Sequence, residues 1–161
     1  LSLLLGPMTA VLALNIYRQR QLLKEYFFPV LAGCFTGCLT SLGSILLLCK
    51  LLSVDSVIAS SLLPKSVTTA IAVAISDSNG GIQGITVTAV LVAGVIGAIF
   101  APLFAKLFHV TDPVAEGVAI GACSHALGTS KAMEIGALQG AMSSIALCVC
   151  GIMTSIIIMF F

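Results

Sequence analysis

Four long stretches without a charged side chain limit the folds open to this chain. They cover residues 1–17, 26–49, 85–105 and 137–160, and only 8 % of the 161 residues are charged. A soluble domain carries about 25 % charged residues, and a helix needs about 20 apolar residues to cross a bilayer. The stretches are apolar throughout rather than alternating, which favours helices. The sequence therefore predicts an all-α polytopic membrane protein, although the segment 1–17 is short for a complete crossing.

Two further apolar segments, 56–75 and 114–136, contain residues that interrupt helices. Pro64 lies in the first segment, and Gly128 in the second can break the helix there. Proline removes a backbone donor and disrupts the preceding turn. We therefore expect a transmembrane helix bundle with two broken or re-entrant helices, in an inverted-repeat transporter fold. Because the chain begins at Leu1 rather than Met, we expect a single transmembrane domain over residues 1–161 that is part of a longer protein.

Basic residues near the first turn predict the orientation of the chain. Arg18, Arg20 and Lys24 lie between the first two apolar stretches, and such clusters favour the cytoplasmic side. If the segment 56–75 crossed the membrane once, Lys106 would lie outside. If that segment enters and returns, Lys106 lies on the cytoplasmic side, which agrees better with the rule. The expected location is the cytoplasmic membrane, with several crossings.

A polar patch follows Pro64 within the first interrupted segment. It contains Lys65, Ser66, Thr68 and Thr69. Proline is well tolerated in the first turn of a helix, so these residues are expected to open a helix inside the membrane region. A helix N-terminus with a lysine and three hydroxyls is suited to a small anion such as a carboxylate. The alternative is an interfacial lysine that extends toward the headgroups, with the hydroxyls acting as caps.

A second polar patch contains Ser124, His125 and Thr129 around Gly128. His125 is the one imidazole within an apolar segment, and it could donate to a substrate or relay a proton. The alternative is a structural histidine bonded to a neighbouring backbone carbonyl. Ser124 and His125 are adjacent, so on a helix they point in different directions and do not form a nucleophile–base pair. We therefore expect no enzyme.

Glu134 follows the second patch and is assigned to the same binding site. It lies three residues after Lys131, a spacing that also allows an ordinary helical ion pair.

Other residue patterns point to packing rather than chemistry. The six cysteines lack paired CxxC spacing, so we interpret them as small buried side chains, and we expect no metal and no cofactor. A net charge of +1 gives no nucleic-acid footprint. GxxxG spacing favours close packing within this bundle, with a homo-oligomer as the alternative; it occurs at Gly33/Gly37, Gly117/Gly121 and Gly136/Gly140.

The two polar patches closely resemble those of the LrgB/CidB family, which also includes the plastid glycolate/glycerate translocator. The resemblance extends in order over essentially the whole chain and corresponds to the last two-thirds of the family's length. Two positions depart from the family pattern: Ala70 stands where proline is usual, and Cys123 where alanine is usual. The matching residues are Leu63-Pro64-Lys65-Ser66-Val67-Thr68-Thr69, Gly80-Gly81-Ile82, Ser124-His125-Ala126-Leu127-Gly128-Thr129, Glu134 and Gly140-Ala141.

The resemblance implies two functions. Bacterial members are described as antiholin-like proteins that restrain murein hydrolase export and lysis with a holin-like partner of the LrgA/CidA type. Other members are linked to the transport of small carboxylates such as pyruvate, glycolate or glycerate. Two facing broken helices that carry a lysine and a histidine favour transport, because a carboxylate site at the midplane needs such groups. The predicted binding residues are Lys65, Ser66, Thr68, Thr69, Ser124, His125, Thr129 and Glu134.

Overall fold

The structure is a computed structural model that describes Tyr17 and residues 20–160. Within these residues it contains α-helices and no β-strand. The helices between residues 20 and 158 are α1 (Arg20–Glu25), α2 (Phe27–Leu51), α3 (Ser56–Leu62), α4 (Thr69–Ser78), α5 (Gln83–Leu107), α6 (Pro113–Ile135) and α7 (Ala137–Ile158).

Three of these helices are long and apolar enough to cross a membrane. They are α2 and α5, with 25 residues each, and α7, with 22 residues. They confirm the predicted crossings at 26–49, 85–105 and 137–160. The predicted segment 1–17 lies outside the described residues, apart from Tyr17.

Helices α3 and α4 form a re-entrant hairpin over residues 56–78, hereafter hairpin 1. Near the end of α3, the Ser61 hydroxyl accepts a hydrogen bond from the Ile82 N–H at 2.7 Å. Thr86, in the first turn of α5, contacts the Ser61 carbonyl at 2.9 Å and the Ser76 hydroxyl at 2.7 Å. Because Ser61 and Ser76 lie at the same level, α4 returns to the side from which α3 entered. That side is where α2 ends, and we call it the second face.

Helix α6 reverses its direction at His125 and forms hairpin 2. In the first leg, Gly121 packs against the backbone of Ser143. In the second leg, Thr129 contacts the same residue, with 2.9 Å between the two hydroxyls. A straight helix could not bring both residues, eight positions apart, to one point of α7. The first leg therefore begins, and the second leg ends, on the side where α2 begins, which we call the first face.

The reversal in hairpin 2 falls at His125 (φ 39°, ψ −137°) rather than at Gly128, where a break was expected. Gly128 has helical dihedrals and serves another purpose. A Cβ atom there would meet Ser124 and Ile120 of the opposing leg. The glycine is therefore explained by the close approach of the two legs.

The course of the chain decides between the two predicted topologies. Hairpin 1 enters and returns, so α5 runs from the second face back to the first face. Lys106, at the end of α5, consequently lies on the same side as Lys24 in α1. This is the topology that agrees better with the positive-inside rule.

Both hairpins begin with an aspartate that caps the first turn. Asp55 accepts a hydrogen bond from the Val57 N–H at 3.1 Å, and Asp112 accepts one from the Val114 N–H at 3.1 Å. Pro113 occupies the first turn of α6, where a missing N–H costs nothing. These caps fix where each hairpin enters the bundle.

The GxxxG glycines pack within the chain, as preferred from the sequence. Gly33 and Gly37 of α2 lie against Val118 and Ala122 in the first leg of hairpin 2. Gly117 and Gly121 face α7, and Gly140 of α7 faces Met133 in the second leg of hairpin 2. Small residues of this kind let helix backbones approach closely where lipid supplies no hydrophobic drive.

Candidate functional site

Lys65 lies half-buried at the tip of hairpin 1. Its ammonium donates to the Ser66 hydroxyl at 3.2 Å. The Ser66 hydroxyl in turn pairs with the Ser41 hydroxyl of α2 at 2.7 Å. The one salt bridge within the described residues joins Lys131 and Glu134, so no described carboxylate pairs with Lys65. The tip therefore presents a positive charge without a described acidic partner.

Thr68 precedes α4 and has the extended backbone of a helix N-cap (φ −61°, ψ 147°). The residue is 9 % exposed, and its hydroxyl makes no cap bond. Among the described buried side-chain N and O atoms, Oγ1 of Thr68 is the one without a hydrogen-bond partner. Thr69 is the first residue of α4. The start of this ten-residue helix thus combines free backbone N–H groups with a buried hydroxyl that can still bond.

A groove with a volume of about 1120 Å³ runs along α5 between the two faces. It extends from Gly84 near the second face to Phe108 near the first face. Lys65 of hairpin 1 and Ser124 of hairpin 2 both line it, as does the exposed Cys123. Both tips therefore contribute to the wall of one groove.

His125 points away from the groove and is 2 % exposed. Its Nε2 lies 2.7 Å from the carbonyl oxygen of Val90 in α5. Since a carbonyl can only accept, this nitrogen carries the proton and donates. Gly94 leaves the space that the imidazole ring occupies, and Gly97 does the same for Ser124. The bond corresponds to the structural alternative considered for His125.

Thr129 and Glu134 also lie apart from the groove. The Thr129 hydroxyl donates to the His125 carbonyl at 2.9 Å and pairs with the Ser143 hydroxyl. Glu134 is exposed and forms an ion pair with Lys131 at 2.7 Å. The structure therefore brings Lys65 and Ser124 together in the groove, and it leaves Glu134 at the surface end of hairpin 2.

A second, much smaller cavity lies behind the tip of hairpin 1. Its volume is about 10 Å³, roughly the space that one water molecule needs. Its lining includes the hydroxyl-bearing residues Ser41, Ser66 and Thr154 and the thiol of Cys38. Helices α2 and α7 and both hairpins contribute to it.

Five of the six cysteines are buried, as expected, but Cys123 is exposed. It lies in the first leg of hairpin 2, on the side that faces the groove rather than α7. Within the described residues, no group of three His, Cys, Asp or Glu side chains could hold a metal ion.

Sequence reasoning missed the residues that hold the tips. Ser41 sits in an uninterrupted apolar stretch, and Val90 acts through its backbone carbonyl. Neither position carries a signal in a single sequence. The glycines at 94 and 97 were visible, but their purpose depends on which helix faces them.

The fold and groove define an all-helical membrane protein with two opposed re-entrant hairpins. The LrgB-like family matches residues 1–161, and the chain belongs to that family. It is 38 % identical to proteins of Bacillus mycoides (strain KBAB4) and Bacillus cereus (strain B4264). A protein of Bacillus anthracis (strain CDC 684 / NRRL 3495) is equally similar, and each match covers 100 % of this chain and 70 % of the relative.

Each of these relatives is named "Antiholin-like protein LrgB". The names describe those proteins as antiholin-like and mention no carboxylate transport. No solved structure matches the chain.

Proposed function

We propose that this protein is a carrier for small organic anions, such as pyruvate, glycolate or glycerate, in the cytoplasmic membrane. One observation carries the proposal: the tip of hairpin 1 presents the half-buried Lys65 and a buried Thr68 hydroxyl that has no hydrogen-bond partner among the described residues. An uncompensated lysine in a membrane is costly and is retained mainly where it has a function. An anion bound at the tip offsets that cost.

The start of α4 supports the same ligand. The first N–H groups of a helix have no partner within it and carry partial positive charge. Pro64 and the extended Thr68 backbone end α3 and allow a new helix to begin inside the bundle. A carboxylate oxygen could accept from these N–H groups and from Thr68, while Lys65 supplies the charge. Ser66, Thr69 and Ser124 would contact the remaining polar atoms.

His125 and Thr129 have a different role in this proposal. Both side chains are engaged by hydrogen bonds to α5 and α7. They would hold hairpin 2 against the groove rather than bind the anion. Glu134, with its own ion pair at the surface, has no assigned part.

The second candidate is an antiholin-like regulator of murein hydrolase export and lysis, and the names of the relatives favour it. Such a protein would act through contacts with an LrgA/CidA-type membrane partner or with its own copies. Lys65 would then be dispensable.

Uptake of labelled pyruvate and glycolate into liposomes tests the proposal. The Lys65→Ala variant should lose at least about 90 % of the flux, since each 1.4 kcal/mol of lost interaction is a factor of ten. Lys131→Ala is the matched control, because it removes an ion-paired lysine that does not line the groove. Wild-type liposomes that take up no more than empty ones would refute the carrier. Equal flux in wild type and Lys65→Ala would refute the site.

A lysis assay in a bacterial host tests the second candidate. If the protein is an antiholin-like regulator, the wild type and the Lys65→Ala variant should delay lysis equally. A delay that requires Lys65 would instead connect lysis control to the anion site.

A further inference from the structure

Ser41 of α2 lies opposite the tip of hairpin 1. We propose that Ser41 is a positioning residue, which acts through Ser66 to hold the Lys65 ammonium at the groove. The inference rests on the proposed carrier function and adds to its site a residue from a spanning helix.

The contacts form a short chain from α2 to the groove. Ser41 and Ser66 hydroxyls are 2.7 Å apart, and the Lys65 ammonium donates to the same Ser66 oxygen at 3.2 Å. A hydroxyl has one donor and two acceptor sites. Because Lys65 uses one acceptor site of Ser66, the bond with Ser41 determines how the Ser66 oxygen is oriented. The position of the ammonium therefore depends on α2.

Helix α2 is suited to act as the fixed reference. It spans 25 residues, and its Cys34 and Cys38 thiols contact the α7 carbonyls of Ala146 and Cys150 at 3.8 and 3.7 Å. The tip of hairpin 1 is not helical between Leu62 and Thr69, and isolated turn bonds such as Lys65 N–H to the Leu62 carbonyl replace a continuous helical ladder there. A side-chain bond to a packed helix supplies the missing constraint.

The chain provides a matched set of variants. Ser41→Ala removes the bond, whereas Ser41→Thr keeps the hydroxyl. The water-sized cavity beside Ser41 offers room for the added methyl group. Thr40→Ala is the control, because Thr40 is exposed and its hydroxyl bonds only to carbonyls of its own helix.

Pyruvate uptake at varied concentrations gives the first measurement. Ser41→Ala should raise KM about three- to tenfold, the effect of one lost hydrogen bond between two neutral hydroxyls, with turnover within about twofold of wild type. Ser41→Thr and Thr40→Ala should resemble wild type. A purely structural serine would lower the amount of active protein and hence turnover, but it would leave KM unchanged.

Thermal stabilisation of the detergent-solubilised protein by pyruvate gives a second measurement that does not require transport. The half-saturating concentration should rise in Ser41→Ala as KM does. If Ser41→Ala keeps the wild-type KM and half-saturating concentration while Lys65→Ala loses pyruvate uptake, the inference about Ser41 is overturned. The proposed carrier function would still hold. Failure of Ser41→Thr to restore wild-type values would also overturn it. If the wild type shows neither pyruvate uptake nor thermal stabilisation by pyruvate, both proposals are overturned.

Discussion

The two re-entrant hairpins reach the middle of the bundle from opposite faces, but different forces hold them there. Hairpin 1 is fixed at its base, where Ser61 bonds to Ile82 and Thr86. Hairpin 2 is packed along both legs against α7, with Gly117 and Gly121 in backbone contact. One hairpin therefore has a secured base and a polar tip, and the other is supported over its whole length.

This difference determines which tip has polar side chains without a described partner. In hairpin 2, the side chains of His125 and Thr129 are used to fix the reversal. In hairpin 1, Lys65 has no described carboxylate partner and Thr68 has no described hydrogen-bond partner. In the tip of hairpin 2, the polar groups are used in hydrogen bonds that hold the structure together. The tip of hairpin 1 is held by the burial of Pro64 and Val67 and by the Ser41–Ser66 bond, which leaves Lys65 without a carboxylate partner and the Thr68 hydroxyl without a hydrogen-bond partner among the described residues.

The largest effect is expected where hairpin 2 touches α7 most closely. Gly121→Ala places a methyl group against the Ser143 backbone, which cannot move aside. Overpacking of this kind costs about 1–3 kcal/mol or more, and the melting temperature in detergent should fall by many degrees. Gly43→Ala is the control, because no atom of the described residues lies within 4 Å of a Cβ atom there. Similar melting temperatures for both variants would show that the legs of hairpin 2 are not packed as described.

A smaller loss is expected for His125→Ala. The change removes the bond to Val90 and leaves a cavity in place of a buried ring, so the free energy of unfolding should fall by about 1–2 kcal/mol. Lys65→Met should show no loss of stability, because a charge is replaced by an apolar side chain. Chemical unfolding in detergent compares the two. A stable His125→Ala protein would contradict the structural role of His125. An unstable Lys65→Met protein would show that Lys65 contributes to stability.

Ser61→Ala tests the base of hairpin 1. The Ile82 N–H loses its acceptor, and hydrogen bonds inside membrane proteins contribute about 0.6 kcal/mol on average and about 1.7 at most. Hydrogen exchange at Ile82 and its neighbours should accelerate, while exchange in α7 should not change. Exchange that is unaltered near Ile82 would mean that the base is held by other contacts.

The smallest effect is expected for Glu134→Gln. Its ion pair with Lys131 is exposed, and such pairs contribute less than about 1 kcal/mol. Stability and pyruvate uptake should both stay near wild type. A marked loss of pyruvate uptake would show that Glu134 takes part in transport, although it lies apart from the groove.

The sequence predicted the elements of this fold better than their three-dimensional relations. The crossings at 26–49, 85–105 and 137–160 were recognisable because lipid demands long apolar helices. The break near Pro64 was recognisable because proline cannot continue a helix. The break in α6 was expected at Gly128, but it occurs at His125, because the bond to Val90 stabilises an unfavourable backbone there. That bond depends on a tertiary neighbour, which the local sequence does not reveal.

The candidate site was predictable in the same partial way. The assignment of Lys65, Ser66, Thr68, Thr69 and Ser124 to a binding site stays a prediction, made because polar residues are rare in apolar segments. The assignment of His125, Thr129 and Glu134 to the same site also stays a prediction, and each of these side chains has a partner in the structure. Ser41 and the glycines of α5 could not be found, since their roles depend on which helices pack together. The inverted-repeat organisation stays a prediction.

The chain reversal at His125 also constrains how the protein is made. The first leg, from Pro113 to His125, extends only about 20 Å at 1.5 Å per residue, less than the thickness of a bilayer's hydrocarbon core. A segment this short cannot be stitched into the membrane as an independent crossing. Because both legs pack against α7, hairpin 2 can take up its folded position only when α7 lies beside it. We therefore expect hairpin 2 to assemble late, after α7 has been inserted.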